Sequence, residues 1–413
     1  MPRETRRHLL LEKVVARYVG THGINGLDTH GVDFDADSLR TLRRLVRDGL
    51  VQVVSDADYP NPAIRPWASR RSRAKQAADL GTERVVLYPT PRAMAGRPEL
   101  GAWPDQPFRT RLLEGQGTLD LAYFTVDVLE HYRNDPRYHF RFGDFEVELG
   151  IGDDAYQDDD ELDRDKIGSV RVGFAYDTTT VKSSRVRRYA CSFVGDLAKL
   201  TPAHQQRWRT YEVEATPTTK PHPVWFGMQM GHWPDGLGPF DRILAEVAAI
   251  NALTTLIYGE PLFDESERPR EWGWVLRPST QEWHQFLMLT NKILAEALRH
   301  SALTKFGVAR KNTNNEAVGT LARLEWFLRD KAPLTPEGVA YIVDPMHKVR
   351  KGRQTPAHEL VIAMTDPIIT AQQRDLLAEI VDGLGLLRTA LVKHPHAAGW
   401  VDGEDLDGVH YRL

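Results

Sequence analysis

The stretch Asp37–Ser55, DSLRTLRRLVRDGLVQVVS, joins the pattern of an amphipathic helix directly to that of a β-strand. Asp37 or Ser38 can cap the helix, and Gly49 is placed to end it in a left-handed conformation. LVQVVS, which follows, is rich in the β-branched residues that strands favour. Four apolar residues of the first half recur at helical spacing: Leu39, Leu42, Leu45 and Val46. The stretch therefore predicts a helix that packs by one face and is followed at once by a strand.

The segments on either side extend this stretch to the order helix, turn, helix, strand, turn, strand. Apolar residues recur at helical spacing between His8 and Tyr18, and a Pro-rich turn leads from the strand to a short apolar piece around Ile64. This order is the outline of a winged helix, which we predict for residues 1–75. Residues 68–80 are expected to form a basic linker or a short helix.

The second predicted helix carries four arginines on one solvated flank: Arg40, Arg43, Arg44 and Arg47. A helix of this kind can enter the major groove of duplex DNA, with its basic side chains on phosphates. The same fold also serves protein contacts, and charged residues often do no more than solvate a helix face. We therefore predict that these arginines bind nucleic acid, with a protein contact or a purely solvated face as the alternatives.

The rest of the chain changes from a β-rich to a helical pattern. Residues 83–220 are rich in aromatic and β-branched residues with period-two alternation, which predicts a β-rich middle domain. The acidic run GDDAYQDDDELDRD within it lacks the register of a calcium loop, so we interpret it as a solvated loop. Residues 236–396 contain five amphipathic helical patterns. The predicted fold class is α+β: an N-terminal winged helix, a β-containing middle domain and a C-terminal α-helical bundle.

Composition restricts the classes of function. Hydrophobic residues at 41% and charged residues at 27% are typical of a soluble globular protein. The net charge of -4 gives no overall attraction to nucleic acid, so such binding requires local basic patches. A single cysteine, Cys191, suits a reducing compartment, and no apolar run could cross a bilayer, so we expect a cytoplasmic protein that does not enter a membrane. The common nucleotide, zinc-protease and serine-hydrolase motifs are absent, and no cofactor or metal is predicted.

A second stretch, Val349–His358 or VRKGRQTPAH, concentrates basic residues near the end of the fourth C-terminal helical pattern. Six Arg/His pairs in the chain have four to six intervening residues, so spacing alone does not select this one. Its context does, because it lies at a junction of helices, where Pro356 is expected to break the helix and turn His358 out of it. The polar residues of the stretch are Arg350, Lys351, Arg353, Gln354 and His358.

This arrangement resembles the HEPN domain, in which an arginine, a polar residue and a histidine lie at a junction of the last helices of an all-α bundle. The resemblance covers about residues 286–396. It implies a metal-independent ribonuclease of a toxin or phage-defence system, acting as a homodimer whose two motifs face each other. It also implies that Arg353 and His358 are catalytic, with Gln354 at the position where the family often has asparagine.

The chemistry of RNA self-cleavage suits these residue types. An imidazole titrates near neutral pH, so His358 can deprotonate the 2′-hydroxyl that attacks phosphorus. The planar guanidinium of Arg353 can hold two phosphate oxygens, and Arg350 or Lys351 can attract the RNA backbone. In the alternative interpretation, the arginines of the stretch pair with acids such as Asp344, Glu359 or Asp366.

The favoured prediction is an RNA-cleaving effector whose N-terminal parts sense a trigger, either a protein partner or a small molecule, or restrain the activity. The competing hypotheses are a non-catalytic regulator that binds duplex DNA through the winged helix, and a scaffold protein. Most of the chain after about residue 120, including LEHYRNDPRYHFRF, is also similar to an uncharacterised bacterial protein family. That similarity implies that the middle and C-terminal parts belong to one unit.

Overall fold

A computed structural model of the protein describes all residues except 1–2, 21–25, 31–33, 59–68, 70, 96, 98–102, 115, 152–171, 359–363, 402–405 and 407–413. It likewise leaves undescribed the side chains of residues 3, 151 and 355–358. The chain divides into two compact units, whereas the sequence predicts three domains. Unit 1 comprises Met1–His139, Leu149–Val172 and Tyr189–Ala215, and unit 2 comprises Phe140–Glu148, Gly173–Arg188 and Thr216–Leu413.

The N-terminal part of unit 1 combines an antiparallel sheet with helices. In chain order its described elements are α1 (Arg3–Gly20), β1 (Leu27–Asp28), α2 (Ala36–Arg47), β2 (Val51–Ser55), α3 (Arg73–Asp79), β3 (Val85–Pro89) and α4 (Pro91–Met94). The strands lie in the order β1-β3-β2, with Val53 of β2 opposite Leu87 of β3. Val14 of α1, Leu42 of α2 and Leu87 are fully buried in one shared core.

Local interactions explain where α2 begins and ends. Asp35 caps the helix, because its carboxylate accepts the backbone N–H of Ser38 at 2.6 Å. The predicted caps, Asp37 and Ser38, were therefore wrong by two to three residues. Gly49 has φ +70°, the left-handed conformation predicted for it, and so ends the helix just before β2.

The order of the elements departs from the predicted winged-helix outline. Of the two alternatives predicted for residues 68–80, a basic linker or a short helix, the structure has a helix, α3, which lies in the chain between the paired strands β2 and β3. The apolar piece around Ile64, predicted as the second strand, lies outside the described residues. The strand that pairs with β2 is β3, which comes from the stretch predicted to begin the middle domain.

The middle of the chain contains short helices and antiparallel strands. Its described elements are α5 (Pro107–Leu113), β4 (Leu121–Thr125), a 3-10 turn (Val126–Leu129), α6 (Glu130–Asn134), β5 (Tyr138–Phe142), β6 (Glu146–Ile151), β7 (Val172–Asp177), β8 (Arg188–Phe193), α7 (Val194–Leu197), α8 (Pro202–Thr210), β9 (Glu212–Val213), β10 (Thr219–Pro221) and α9 (Pro223–Gln229). Within unit 1, β4 pairs with β8 and β9, and within unit 2, β10 pairs with β7. The acidic run at 152–165 lies outside the described residues.

The C-terminal part of unit 2 is helical, which confirms the α+β fold class with a C-terminal helical region. Its helices are α10 (Pro239–Tyr258), α11 (Thr280–Asn291), α12 (His300–Lys305), α13 (Thr320–Lys331), α14 (Pro336–His358) and α15 (Ile369–Val392). The second of the five helical patterns, which covers residues 281–303, is divided in the structure, because a π-helical segment, Lys292–Glu296, follows α11 and α12 begins only at His300.

A buried group of charges joins α10 to α15. Glu246 is fully buried and accepts hydrogen bonds from Arg242 at 2.6 and 2.9 Å and from Arg388 at 2.8 Å. Both arginine side chains are only 5% exposed. Because a buried charge without its partner is strongly unfavourable, this triad ties the two helices to one register.

Candidate functional site

The predicted catalytic stretch forms the last turns of α14. The helix continues through Pro356 to His358, so the expectation that Pro356 breaks it was wrong. The described polar side chains of the stretch are half-buried or exposed: half-buried Arg350 and Arg353, exposed Lys351 and Gln354. The imidazole of His358 lies outside the described side chains.

Arg353 is paired with a carboxylate that the sequence did not indicate. Its guanidinium forms an ion pair with Glu296, whose same oxygen also accepts a hydrogen bond from Asn291 at 2.9 Å. The side chains of Arg353 and Glu296 are 36% and 46% exposed. An ion pair this exposed contributes only about 0–1 kcal/mol, so a phosphate could replace Glu296 at little cost. Positions 353 and 358 are separated by about 140° around a continuous helix.

The four arginines predicted to bind nucleic acid do not share one role. Arg43 donates to the carbonyl oxygens of Ala77 at 3.2 Å and Leu80 at 2.7 Å, and thereby fastens α2 to the end of α3. Arg40 lies 3.2 Å from the carboxylate of Asp37. The other two, Arg44 and Arg47, are exposed, and no described residue forms a hydrogen bond or ion pair with the side chain of either. Of the four side chains, these two are the ones without a described partner.

Three further arginines lie where α2 ends, around Asp48 and Gly49. Arg7 of α1 forms an ion pair with the Asp48 carboxylate at 2.9 Å, and Arg92 of α4 donates to the Asp48 carbonyl oxygen at 3.1 Å. The guanidinium of Arg73 on α3 lies 2.8 to 3.0 Å from the place that a Cβ on Gly49 would take. These three residues are exposed. We call the set of five the arginine corner: Arg7, Arg44, Arg47, Arg73 and Arg92.

Elementary electrostatics explains why cations collect at this corner. The carboxyl end of a helix carries partial negative charge on carbonyl groups that lack intrahelical partners, and cations there are stabilising. The corner nevertheless contains more arginines than Asp48 and the helix end can neutralise. Sequence reasoning missed Arg7, Arg73 and Arg92, because they belong to three different helices and no periodic pattern connects them to α2.

Unit 2 contains buried carboxyl groups near the start of α10. Asp144 accepts the backbone N–H of Phe240 at 3.0 Å and forms an ion pair with Arg268 at 2.6 Å. Burial raises the pKa of Asp144, although Arg268 opposes the change. Burial, with the nearby charge of Asp144 as the next cause, raises the pKa of Glu146 to about 7. The Oε2 atom of Glu146 is buried and accepts no hydrogen bond from the described residues.

Gly143 lies close to one of these carboxyl groups. A Cβ on Gly143 would lie 2.3 Å from Oε1 of Glu146, so a larger residue there would require the Glu146 side chain to move. A carboxyl group that titrates near neutral pH has the acidity of a general acid or base. Asp144 accepts backbone N–H groups at the start of α10, so we assign Asp144 to stability rather than to catalysis.

Comparisons with known proteins provide no family for this chain. It matches no protein-family model, no curated protein and no solved structure. Within the described ranges, no group of three or more His, Cys, Asp or Glu side chains is arranged to hold a metal ion. Among the helices described, none combines the length and the apolar character needed to cross a membrane. The HEPN resemblance therefore stays a hypothesis.

Proposed function

We propose that the protein binds the phosphate backbone of nucleic acid through the arginine corner of unit 1. The observation that carries the proposal is that five exposed arginines lie at the end of α2: Arg44 and Arg47 in its last turn, and Arg7, Arg73 and Arg92 at Asp48 and Gly49. Guanidinium groups hold phosphate oxygens through two parallel hydrogen bonds, which makes arginine the residue most suited to such a surface. The guanidinium groups of Arg44 and Arg47 are available for such bonds, because no described residue forms a hydrogen bond or ion pair with either side chain.

The ion pair already present at the corner is weak enough to exchange with a phosphate. The side chains of Arg7 and Asp48 are 48% and 50% exposed, so their ion pair contributes about 0–1 kcal/mol and can exchange. Each phosphate that a cation neutralises releases counterions and changes the slope of log affinity against log salt by about 0.9. The corner is therefore expected to give a salt dependence that reflects up to five contacts. The positive charge of the corner can attract phosphate locally, although the whole chain has a net charge of -4.

The test is the salt dependence of binding to short duplex DNA, duplex RNA and single-stranded RNA. Removing both Arg44 and Arg47 (Arg44→Gln with Arg47→Gln) should reduce the salt slope by about 2 and weaken binding to all sequences. The matched control is Arg185→Gln with Arg187→Gln, which changes two exposed arginines of unit 2 in the same way. If the control lowers affinity as much as the corner variant, or if the slope does not change, the corner is not the interface.

A second candidate is RNA cleavage by Arg353 and His358, in the cytoplasm and in a toxin or phage-defence role. The observation in its favour is the basic last part of α14, where Arg350 and Lys351 accompany Arg353. Because positions 353 and 358 lie about 140° apart on the helix, the proposal needs two copies of the motif facing each other in a homodimer.

Cleavage of a labelled RNA by the purified protein tests this candidate. His358→Ala should lower the rate by about 10² to 10⁴-fold if the imidazole transfers a proton. His347→Ala is the matched control, since His347 is an exposed histidine of the same helix. Equal rates for the His358 variant and the unchanged protein, or no cleavage of any RNA by the dimer, would remove this candidate and leave binding alone.

A further inference from the structure

Unit 1 also contains a cleft of about 410 Å³ that the preceding sites do not use. Its volume lies within the roughly 300–1,000 Å³ that is usual for small-molecule sites. The walls come from the last turn of α1, from α5 and the residue before it, from α7, from the segment that joins α7 to α8, and from the first residue of α8. We call it the α5–α8 cleft.

The charged residues that line the cleft are both cations. Arg109 of α5 stacks on the ring of Trp103 at 3.8 Å and donates to the side-chain oxygen of Gln106 at 3.3 Å. No described carboxylate pairs with Arg109, and burial lowers its pKa without an opposing acid. Lys199 forms an ion pair with Asp196 at 2.8 Å and remains 35% exposed. An anion in the cleft would supply the counter-charge that Arg109 lacks.

The start of α8 adds partial positive charge to the same wall. Thr201 is the N-cap residue and lines the cleft, but its side chain makes no capping hydrogen bond to the helix. The first N–H groups of a helix have no intrahelical acceptor, and the helix dipole favours an anion beside them. At α5, in contrast, Gln205 already accepts the N–H groups of Phe108 and Arg109, at 3.2 and 3.3 Å. Two side-chain cations and the start of α8 therefore meet at one cavity.

We propose that the α5–α8 cleft binds a small organic anion, which consists of an apolar body and one phosphate or carboxylate group. The acidic group pairs with Arg109 and Lys199 beside the start of α8. The apolar body packs on Leu112, Leu200 and Pro202, which line the same cleft. This site is independent of the arginine corner, because Val19 at the cleft and Arg7 at the corner are separated by roughly 18 Å along α1.

Isothermal titration of the full chain with phenyl phosphate, benzoate and inorganic phosphate tests the proposal. Phenyl phosphate or benzoate should bind at millimolar concentration or below, and inorganic phosphate more weakly because it lacks the apolar body. The two organic probes distinguish a phosphate ligand from a carboxylate ligand. Arg109→Gln should weaken binding roughly 10- to 100-fold, and Arg109→Lys should restore part of it.

Two further variants keep the result interpretable. Ala198→Phe fills the cleft without changing the charge and should abolish binding of the organic probes. Arg44→Gln with Arg47→Gln, which tests the nucleic-acid proposal, should leave their binding unchanged. The proposal is overturned if Arg109→Gln binds phenyl phosphate and benzoate as tightly as the unchanged protein does. It is also overturned if the folded, unchanged protein binds none of the probes at millimolar concentration, or binds inorganic phosphate as tightly as the organic probes.

Discussion

Replacing Glu146 by glutamine should make the stability of unit 2 less sensitive to pH. The pKa of Glu146 rises from the ordinary 4.5 to about 7, first because the group is buried and next because Asp144 is close. Glutamine keeps the size of the side chain and cannot ionise. The variant therefore removes the cost of placing a charge on a buried carboxylate that accepts no hydrogen bond at Oε2 from the described residues.

The sign and size of the effect follow from linkage. Below about pH 4.5 the carboxyl group is protonated in the folded and unfolded states alike, so it gives no penalty. As the pH rises towards 7 the unfolded state loses the proton first, and the folded state loses stability relative to it. A pKa rise from 4.5 to about 7 corresponds to at most about 3 kcal/mol above pH 7. Glu146→Gln should recover up to this amount at about pH 8 and little of it at about pH 4.

Urea unfolding followed by circular dichroism at a series of pH values measures the difference. The control is Glu379→Gln on α15, which removes a carboxylate held by Lys348 at 2.7 and 2.8 Å. Since that carboxylate has its counter-ion, the control should not gain stability at neutral pH. A difference between Glu146→Gln and the unchanged protein that stayed constant from about pH 4 to about pH 8 would refute the assignment of a raised pKa to Glu146.

Other buried polar groups give predictions that denaturant unfolding can check. Glu246→Ala should cost about 3–5 kcal/mol, since it leaves Arg242 and Arg388 buried without an acid, and a loss below about 1 kcal/mol would contradict a buried triad. Arg323→Leu should cost about 3 kcal/mol or more, because the fully buried guanidinium serves several carbonyl oxygens, including one at 2.8 Å. Arg43→Gln should cost about 1–2 kcal/mol for the two bonds to α3 and leave the salt slope of nucleic-acid binding unchanged; a lowered slope would return Arg43 to the interface.

The parts of the fold that sequence could predict are those governed by local pattern. The apolar faces of α10, α14 and α15 repeat over many turns, so their helical state was predicted correctly, and Gly49 ended α2 because its left-handed conformation is a local property. The paired strands β2 and β3 are separated by about thirty residues of chain. Periodicity within one strand does not show which other strand will pair with it. Pro356 was expected to end α14, and the helix includes it.

The candidate sites were less predictable, for a related physical reason. A helical pattern shows which residues share a face, but it does not show which acceptors the rest of the fold will bring to that face. Arg43 meets the carbonyl oxygens at the end of α3, whereas Arg44, the next residue along, meets none that is described. Arg353 met Glu296, a carboxylate 57 residues away that no local pattern linked to it.

A single criterion then separates arginines that hold the structure from arginines that can bind a ligand. A guanidinium has five N–H donors, and once two or more carbonyl oxygens or a buried carboxylate occupy them, an incoming phosphate must displace bonds that stabilise the fold. Arg323 and Arg43 belong to this first group. Arg47 and Arg109 belong to the second, because neither has a described carboxylate partner, yet one lies on an open surface and the other lines a cleft. The open surface suits an extended polyanion and the cleft a small anion, so loss of Arg47 and loss of Arg109 should impair different ligands.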